Sequence, residues 1–524
     1  MNKYFSLPIL LLLFFSISSL HALVEPISIN DGIWYVLSRI GIVVDDIQGV
    51  TGCQYFIHQT DLPLTITAPG NYCLVQSVTF NGTAVTINSS NVMFDMRNYA
   101  MDANSTTSSI AFLLNSGNNI SIINGSIKNT TSGAILGGNA LLENIVISGV
   151  DIMQSLVGIV FNNGMNVESM LIKDCYFSNG DGITIQGSGV TVRGCELDDS
   201  VIGGGSAGIT IQGVSDAHLA RHVIVEDCII TGTRSFLADS NGIIIQRATN
   251  ALVDNCNLSG GGGGDNGIFF NNVSNLRCSN SSLVNSAGIF VTTFVSSTPV
   301  ESALIENCII TSNQSNTGIR IAAGPLPVPI NNVVIRDCVI SQPSFGILLQ
   351  AATSGNLNNV SIHRCDILDS AGPGILVFTN NAGVLVNNVA VRDCVFVGSG
   401  GAGSYGVEVG PGGGTPSPSN VVVTGCTGQK LGITVFDQTL SSPIIVDHCI
   451  AQDCLSGFFI TSTHVQIINC CSERNRDFGF SNPTLALANS SFADGTGFSG
   501  VPASLIKTGA AAVSNATYWN NVVF

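Results

Sequence analysis

Charge is what this sequence has least of. Only 10% of its 524 residues are Asp, Glu, Lys or Arg, and so little charge argues against disorder, which combines low hydrophobicity with high charge. Basic residues are the scarcer kind: 18 Lys and Arg stand against 34 Asp and Glu, a formal net charge of −16. No basic stripe is available to neutralise phosphates, so nucleic acid is not an expected partner. Beyond the first 22 residues no apolar run approaches the roughly 20 residues of a membrane-spanning helix, so no integral membrane domain is expected. Helical periodicity is missing as well. Between residues 75 and 480 no segment repeats its apolar residues at 3.6, which removes a βαβ array from consideration.

The one long apolar stretch, "MNKYFSLPILLLLFFSISSLHA", has a lysine near its start and a small residue, Ala22, at its end. This reads as a signal peptide over residues 1–22, too short in its apolar core for a bilayer-spanning helix. The expected location is secreted or cell surface, outside the cytoplasm. Export permits disulfides, so the 16 cysteines need a positional argument.

Their positions mark a period. Aligning the chain on V-x-I-x-x-C-x-I brings Cys175, Cys195, Cys228, Cys256, Cys308, Cys338, Cys365, Cys394, Cys426, Cys449 and Cys470 to equivalent places, with Cys278 a looser fit. Tyr99, Gly125 and Val150 hold the same place upstream, giving a frame repeated about fifteen times and hence an array. In "VVIRDCVISQPSFGILLQ" (333–350), Val333 and Ile335 alternate as in a strand, and Cys338 and Ile340 alternate one residue out of phase. A straight strand would turn the second pair outward; a bend at Arg336–Asp337 keeps all four inside. A third element, Gly346-Ile347 here and Gly-Ile or Gly-Val in most other turns, opens a further β-branched strand, with glycine supplying a tight lead-in.

This pattern, I-x-x-(N/C)-x-I followed by G-I-x-I, resembles the right-handed parallel β-helix of the pectate-lyase-like superfamily over roughly residues 75–480. The resemblance implies an all-β solenoid, and with strands about 4.8 Å apart fifteen turns would span about 70 Å. It implies little about activity, because that superfamily includes lyases, hydrolases, adhesins and tailspikes. Residues 23–74 are expected to form an N-terminal segment and cap, and residues 481–524 a C-terminal cap.

Four chemical candidates follow. The cysteine ladder offers one thiol per turn, wrong for a single zinc ion and spaced too widely for disulfides between rungs; inert packing at a corner is the expectation. Cys53 and Cys73 lie off the ladder and are candidates for a disulfide. Asp181, Asp199, Asp239 and Asp265 occupy the loop before the Gly-Ile strand on successive turns, beside Asp198 and Arg234. Stacked along one edge they would suit Ca²⁺ or a pair of catalytic carboxylates, although solvated loop acids are the plainer reading. "NGDGITI" (179–185) resembles part of a polygalacturonase motif, but the second aspartate pair, the His-Gly and the Arg-Ile-Lys of that family are absent, the nearest match to the last being Arg320-Ile321-Ala322. Asp216, His218, Arg221 and His222 form a polar loop in which a proton-transfer histidine is conceivable. Asp447-His448 resembles a pectate-lyase pair faintly; other turns carry Asp or Asn at His448.

The sequence also holds N-x-S/T sites, among them Asn81, Asn88, Asn104, Asn129, Asn272, Asn313, Asn359, Asn489 and Asn515, which are glycan acceptors in some hosts and turn residues in others. The expected function is an exported binding or structural protein contacting a polysaccharide or cell-surface glycan. A polysaccharide lyase or glycoside hydrolase on the acidic edge is the alternative. No cofactor is required by the sequence, Ca²⁺ being the one ion the acid row suits.

Overall fold

The computed structural model describes residues 52–481 apart from short segments (105–107, 139, 162–166, 181, 199–206, 233–240, 261–266, 286–287, 295–297, 313–315, 352–353, 382–383, 399–403, 412–417, 432, 438–443 and 461–464). Beyond residue 481 it describes only a few short strands. Residues 1–51, with the expected signal peptide and most of the expected cap, lie outside the described residues. The chain divides into two units, Met1–Gln54 and Tyr55–Phe524, and the second is the solenoid.

One turn shows how the sequence builds it. A lead strand, Ile330–Arg336, is followed by a corner, a short strand Val339–Ser341, a second corner and a glycine strand Phe345–Ala351. Each pairs in parallel with its counterpart one turn on, so three sheets run along the solenoid. Ile305, Ile335, Ile362 and Val391 align in the lead sheet. Ile310, Ile340, Ile367 and Phe396 align in the short sheet, and Ile319, Ile347, Ile375 and Val407 in the glycine sheet. All twelve side chains are buried, each removing about 1.5–3 kcal/mol worth of apolar surface from water. The parallel β-helix is as expected, with about thirteen turns rather than fifteen. Parallel pairing already joins Tyr55–Ile57 to Gly70–Leu74 and continues past Phe480, where Leu485–Leu487 pairs with Val465–Ile468.

The phase slip is a corner. Asp337 has φ 55°, and Asp227, Asn307, Asp393, His448 and Asn469 take the same left-handed conformation on other turns. Asn and Asp tolerate it better than other side-chain-bearing residues. His448 is thus a corner residue, as the sequence frame indicated. The corner between glycine and lead strands adds hydrogen-bonded asparagine ladders, Asn144 to Asn119 to Asn91 and Asn420 to Asn388 to Asn359 to Asn332.

Immediately inside the first corner stand the ladder cysteines, all buried and none in a disulfide. Each thiol donates to the carbonyl two residues before it, with S···O between 3.2 Å at Cys338 and 3.6 Å at Cys365. The neighbouring Cys308 thiol and then burial push Cys338 up to about 12, far from the thiolate range that reactivity needs. Cys278 is not on the ladder: it pairs with Val253 and Ile305 in the lead sheet. Ser281 fills the gap, its Oγ accepting the Cys256 N–H at 3.2 Å. Cys53 and Cys73 are disulfide-bonded; Cys454 and Cys471 are in no disulfide.

The glycine of Gly-Ile is needed for a different reason than a tight lead-in. A Cβ on Gly346 would lie 2.3 Å from the Gly374 carbonyl oxygen, and one on Gly318 would lie 2.4 Å from Ile340 Cγ2. The adjoining turn, rather than an unusual φ, forbids a side chain there.

Candidate functional site

In each glycine strand the residues between the buried ones face outward, so the repeat that fills the interior also lays out a surface. Two outward rows run along this sheet. One contains Ile244, Phe269, Phe290, Arg320 and Leu348 in register. The other contains Gln212, Gln246, Asn271, Thr292, Ala322 and Gln350, of which Asn271, Thr292, Ala322 and Gln350 are covered by their surroundings, as are Ile244 and Phe290 in the first row. Amides, aromatic rings and one cation therefore share a face.

The centre of this face is well ordered by its own contacts. Phe269 and Phe290 have ring centroids 5.2 Å apart, and Phe294 meets the Phe290 edge at 6.1 Å, the tilted and edge-on arrangements that ring quadrupoles favour. The Phe294 N–H donates to Asn271 Oδ1 at 3.0 Å, fixing a ring that is 40% exposed. Below it, the Thr292 hydroxyl donates to the Ala322 carbonyl at 2.8 Å and the Gly324 N–H to Thr293 Oγ1 at 3.0 Å. The Arg320 guanidinium lies 4.7 Å from the Phe290 centroid, a cation–π distance, and its Nη2 donates to Gln350 Oε1 at 2.9 Å. Burial holds the Arg320 pKa below the usual guanidinium value. Three turns further along the same row, burial raises the Glu408 carboxyl.

The sequence candidates lie around this face in different ways. Asp181, Asp199, Asp239 and Asp265, with Arg234, fall outside the described residues. By sequence they precede the glycine strands at 183, 207, 241 and 268. Asp198 accepts hydrogen bonds from Thr231 at 2.6 Å and Tyr176 at 3.5 Å. In the polar loop Asp216 approaches Arg247 at 3.6 Å and Ser215 Oγ lies 3.2 Å from His218 Nδ1, while His222 is a corner residue with φ 55°. Asp447 pairs locally with His448 at 2.8 Å on the lead sheet, away from the glycine sheet. Asn272 is buried with its amide bonded to Thr298, which removes it as a glycan acceptor in the folded chain.

Phe290, Phe294 and Gln350 were not singled out from sequence, and Arg320 was noted only as the nearest match to an absent Arg-Ile-Lys. The signal was present in the variable third position of G-I-x-I, but outward strand positions carry no pattern of their own. Among the described residues no group of three or more His, Cys, Asp or Glu is placed to hold a metal ion. Among them, too, no helix is long and apolar enough to cross a membrane.

Comparison with known proteins matches the description "right handed beta helix region" to residues 157–300 and 266–439, together more than half of the chain. The chain belongs to the right-handed β-helix family. No curated protein matches this β-helix. Among solved structures it is similar to a tailspike protein mutant of Escherichia coli bacteriophage HK620 in complex with a hexasaccharide, at 13% identity and TM-score 0.45, covering 83% of this chain and 71% of that one. An exopolygalacturonase from Thermotoga maritima is similar at 12% identity and TM-score 0.34, covering 72% and 84%. An endo-xylogalacturonan hydrolase from Aspergillus tubingensis follows at 12% and 0.36, covering 67% and 87%. At these identities the likeness concerns the fold alone.

Proposed function

We propose that this β-helix is exported and binds a polysaccharide or cell-surface glycan along the outward face of the glycine sheet, without turning it over. One observation carries the reading: three aromatic rings, the exposed Phe294, the covered Phe290 and Phe269, are gathered beside a half-buried cation on one sheet face. Rings supply apolar faces for the C–H side of a sugar, and amides and guanidinium supply donors for its oxygens. Such a mixture of apolar walls and a few fixed polar groups is the usual make-up of a small-ligand site.

A panel of immobilised polysaccharides, probed with the full chain, tests this. Retention on at least one of them, abolished by Phe294→Ala together with Phe290→Leu, is expected, with no release of reducing ends or unsaturated products. The alternative, a lyase or hydrolase, draws on the loop acids and on Glu408, a carboxyl raised by burial on the same face. Product release lost in Asp181→Asn or Asp239→Asn would establish that alternative and overturn the binding-only reading. No retention on any member of the panel would remove both.

A further inference from the structure

The least expected group on the glycine sheet is Arg320. A guanidinium is charged at every physiological pH, and taking it out of water is costly unless a carboxylate or several acceptors compensate. Arg320 is more than half withdrawn from solvent, yet its partners among the described residues are one neutral amide and one aromatic ring. Its Nε is buried with no hydrogen-bond partner.

In the two turns that adjoin Arg320 the sequence holds no carboxylate left over for it. From residue 266 to residue 357 there are three acidic residues, Glu301, Glu306 and Asp337. All three are engaged at the lead sheet: Glu301 with Asn331 at 3.4 Å, Glu306 with Arg277 at 2.6 Å and with Arg336, and Asp337 with Arg364 at 2.7 Å. The other arginines of these turns thus have acidic partners and Arg320 has none, in a protein with a net charge of −16. Here the chain keeps a cation while withholding the abundant counter-charge.

We propose that Arg320, seated on the Phe290 ring beside Gln350, is an anion subsite, and that the ligand of this face is an acidic polysaccharide held through a carboxylate or sulfate group. This rests on the glycan reading above and narrows it. The guanidinium forms charge-assisted hydrogen bonds with the anion, the aromatic rings flank the sugar that bears it, and Gln350 sets the plane of the guanidinium. The protein's own negative charge repels acidic polymers elsewhere on the surface, so capture depends on this one site.

The experiment uses the full chain with three probes: alginate as the carboxylated polymer, dextran sulfate as the sulfated one, and unmodified dextran as the neutral one. Binding to one acidic polymer and not to dextran is expected, weakening as salt rises from about 50 mM to about 500 mM. Which acidic polymer binds distinguishes carboxylate from sulfate. Arg320→Gln should reduce that binding roughly tenfold or more with a melting temperature equal to or above that of the unaltered protein, because a buried uncompensated charge has been removed. Phe294→Ala, at an exposed ring, gives a second variant whose folding is not at stake, and it should weaken the same binding. Equal binding of Arg320→Gln and wild type, or a melting temperature several degrees lower in that variant, would overturn the anion subsite. Binding of dextran but of neither acidic polymer would also overturn it while leaving the glycan reading standing; binding of no probe or panel member ends both.

Discussion

Two charged regions of this solenoid follow opposite rules. At the end of the lead strands charges stack turn upon turn and are paired between turns. Buried Glu306 is bracketed by Arg277 and Arg336, and Asp337 takes both nitrogens of Arg364, at 2.7 and 2.9 Å. On the outward glycine sheet, Arg320 sits over an aromatic ring with no acid within reach. A paired ladder spends its charge on holding adjacent turns together, whereas an unpaired cation keeps its charge for something outside the chain.

The largest effect expected is on the paired side. Glu306→Ala leaves two guanidiniums facing a buried gap and should destabilise the chain by about 2–4 kcal/mol, toward the low end of such losses because both arginines are partly exposed. Urea unfolding should show this as a lower midpoint at unchanged slope. Arg320→Gln is the counterpart, with stability unchanged or raised by up to about 1 kcal/mol. Equal losses in the two variants would erase the contrast.

Two pH effects of opposite sign are smaller. Burial, and then Arg364 beside it, lowers the His363 pKa. Protonation is therefore harder in the folded chain, and this contribution to stability is present above the unfolded value near 6.5 and lost as pH falls through the folded one. His363→Gln should flatten the decline in melting temperature on the acid side of pH 6.5. Burial raises Glu408, so its contribution is full below the unfolded value near 4.3 and is lost as pH rises through the folded one. Glu408→Gln should remove that decline and no other. Smallest is Arg364→Ala, at a partly exposed surface pair, which should leave the melting temperature within the error of the measurement.

The interior was legible because it repeats. Cys338, Ile335, Ile340 and Ile347 recur at fixed offsets, and a single offset error would expose them all. The one-residue slip before Cys338 identified the corner that Asp337 makes with φ 55°. Cys278 misled because Ser281 performs the ladder's role in that turn with a hydroxyl, outside the pattern being matched. The glycine of Gly-Ile was found for the wrong reason, since its constraint comes from the Gly374 carbonyl of the following turn. The acids Asp181, Asp199, Asp239 and Asp265 attracted notice because carboxylates in successive loops are visible in a sequence. Arg320 entered only as the nearest match to an absent motif, because one outward arginine among eighteen Lys and Arg has no signature of its own.

By itself the sequence determined that this chain is an all-β solenoid of parallel strands, since β-branched residues at period two with a corner slip can bury themselves together in no other way. Only the tertiary structure decided which outward residues meet. Phe269, Phe290, Arg320 and Gln350 lie 21 to 30 residues apart from one to the next, and stacking of whole turns at about 4.8 Å brings them onto one face. Whether a cation is paired is likewise a property of that stacking, because its partner, present or absent, belongs to the adjoining turn.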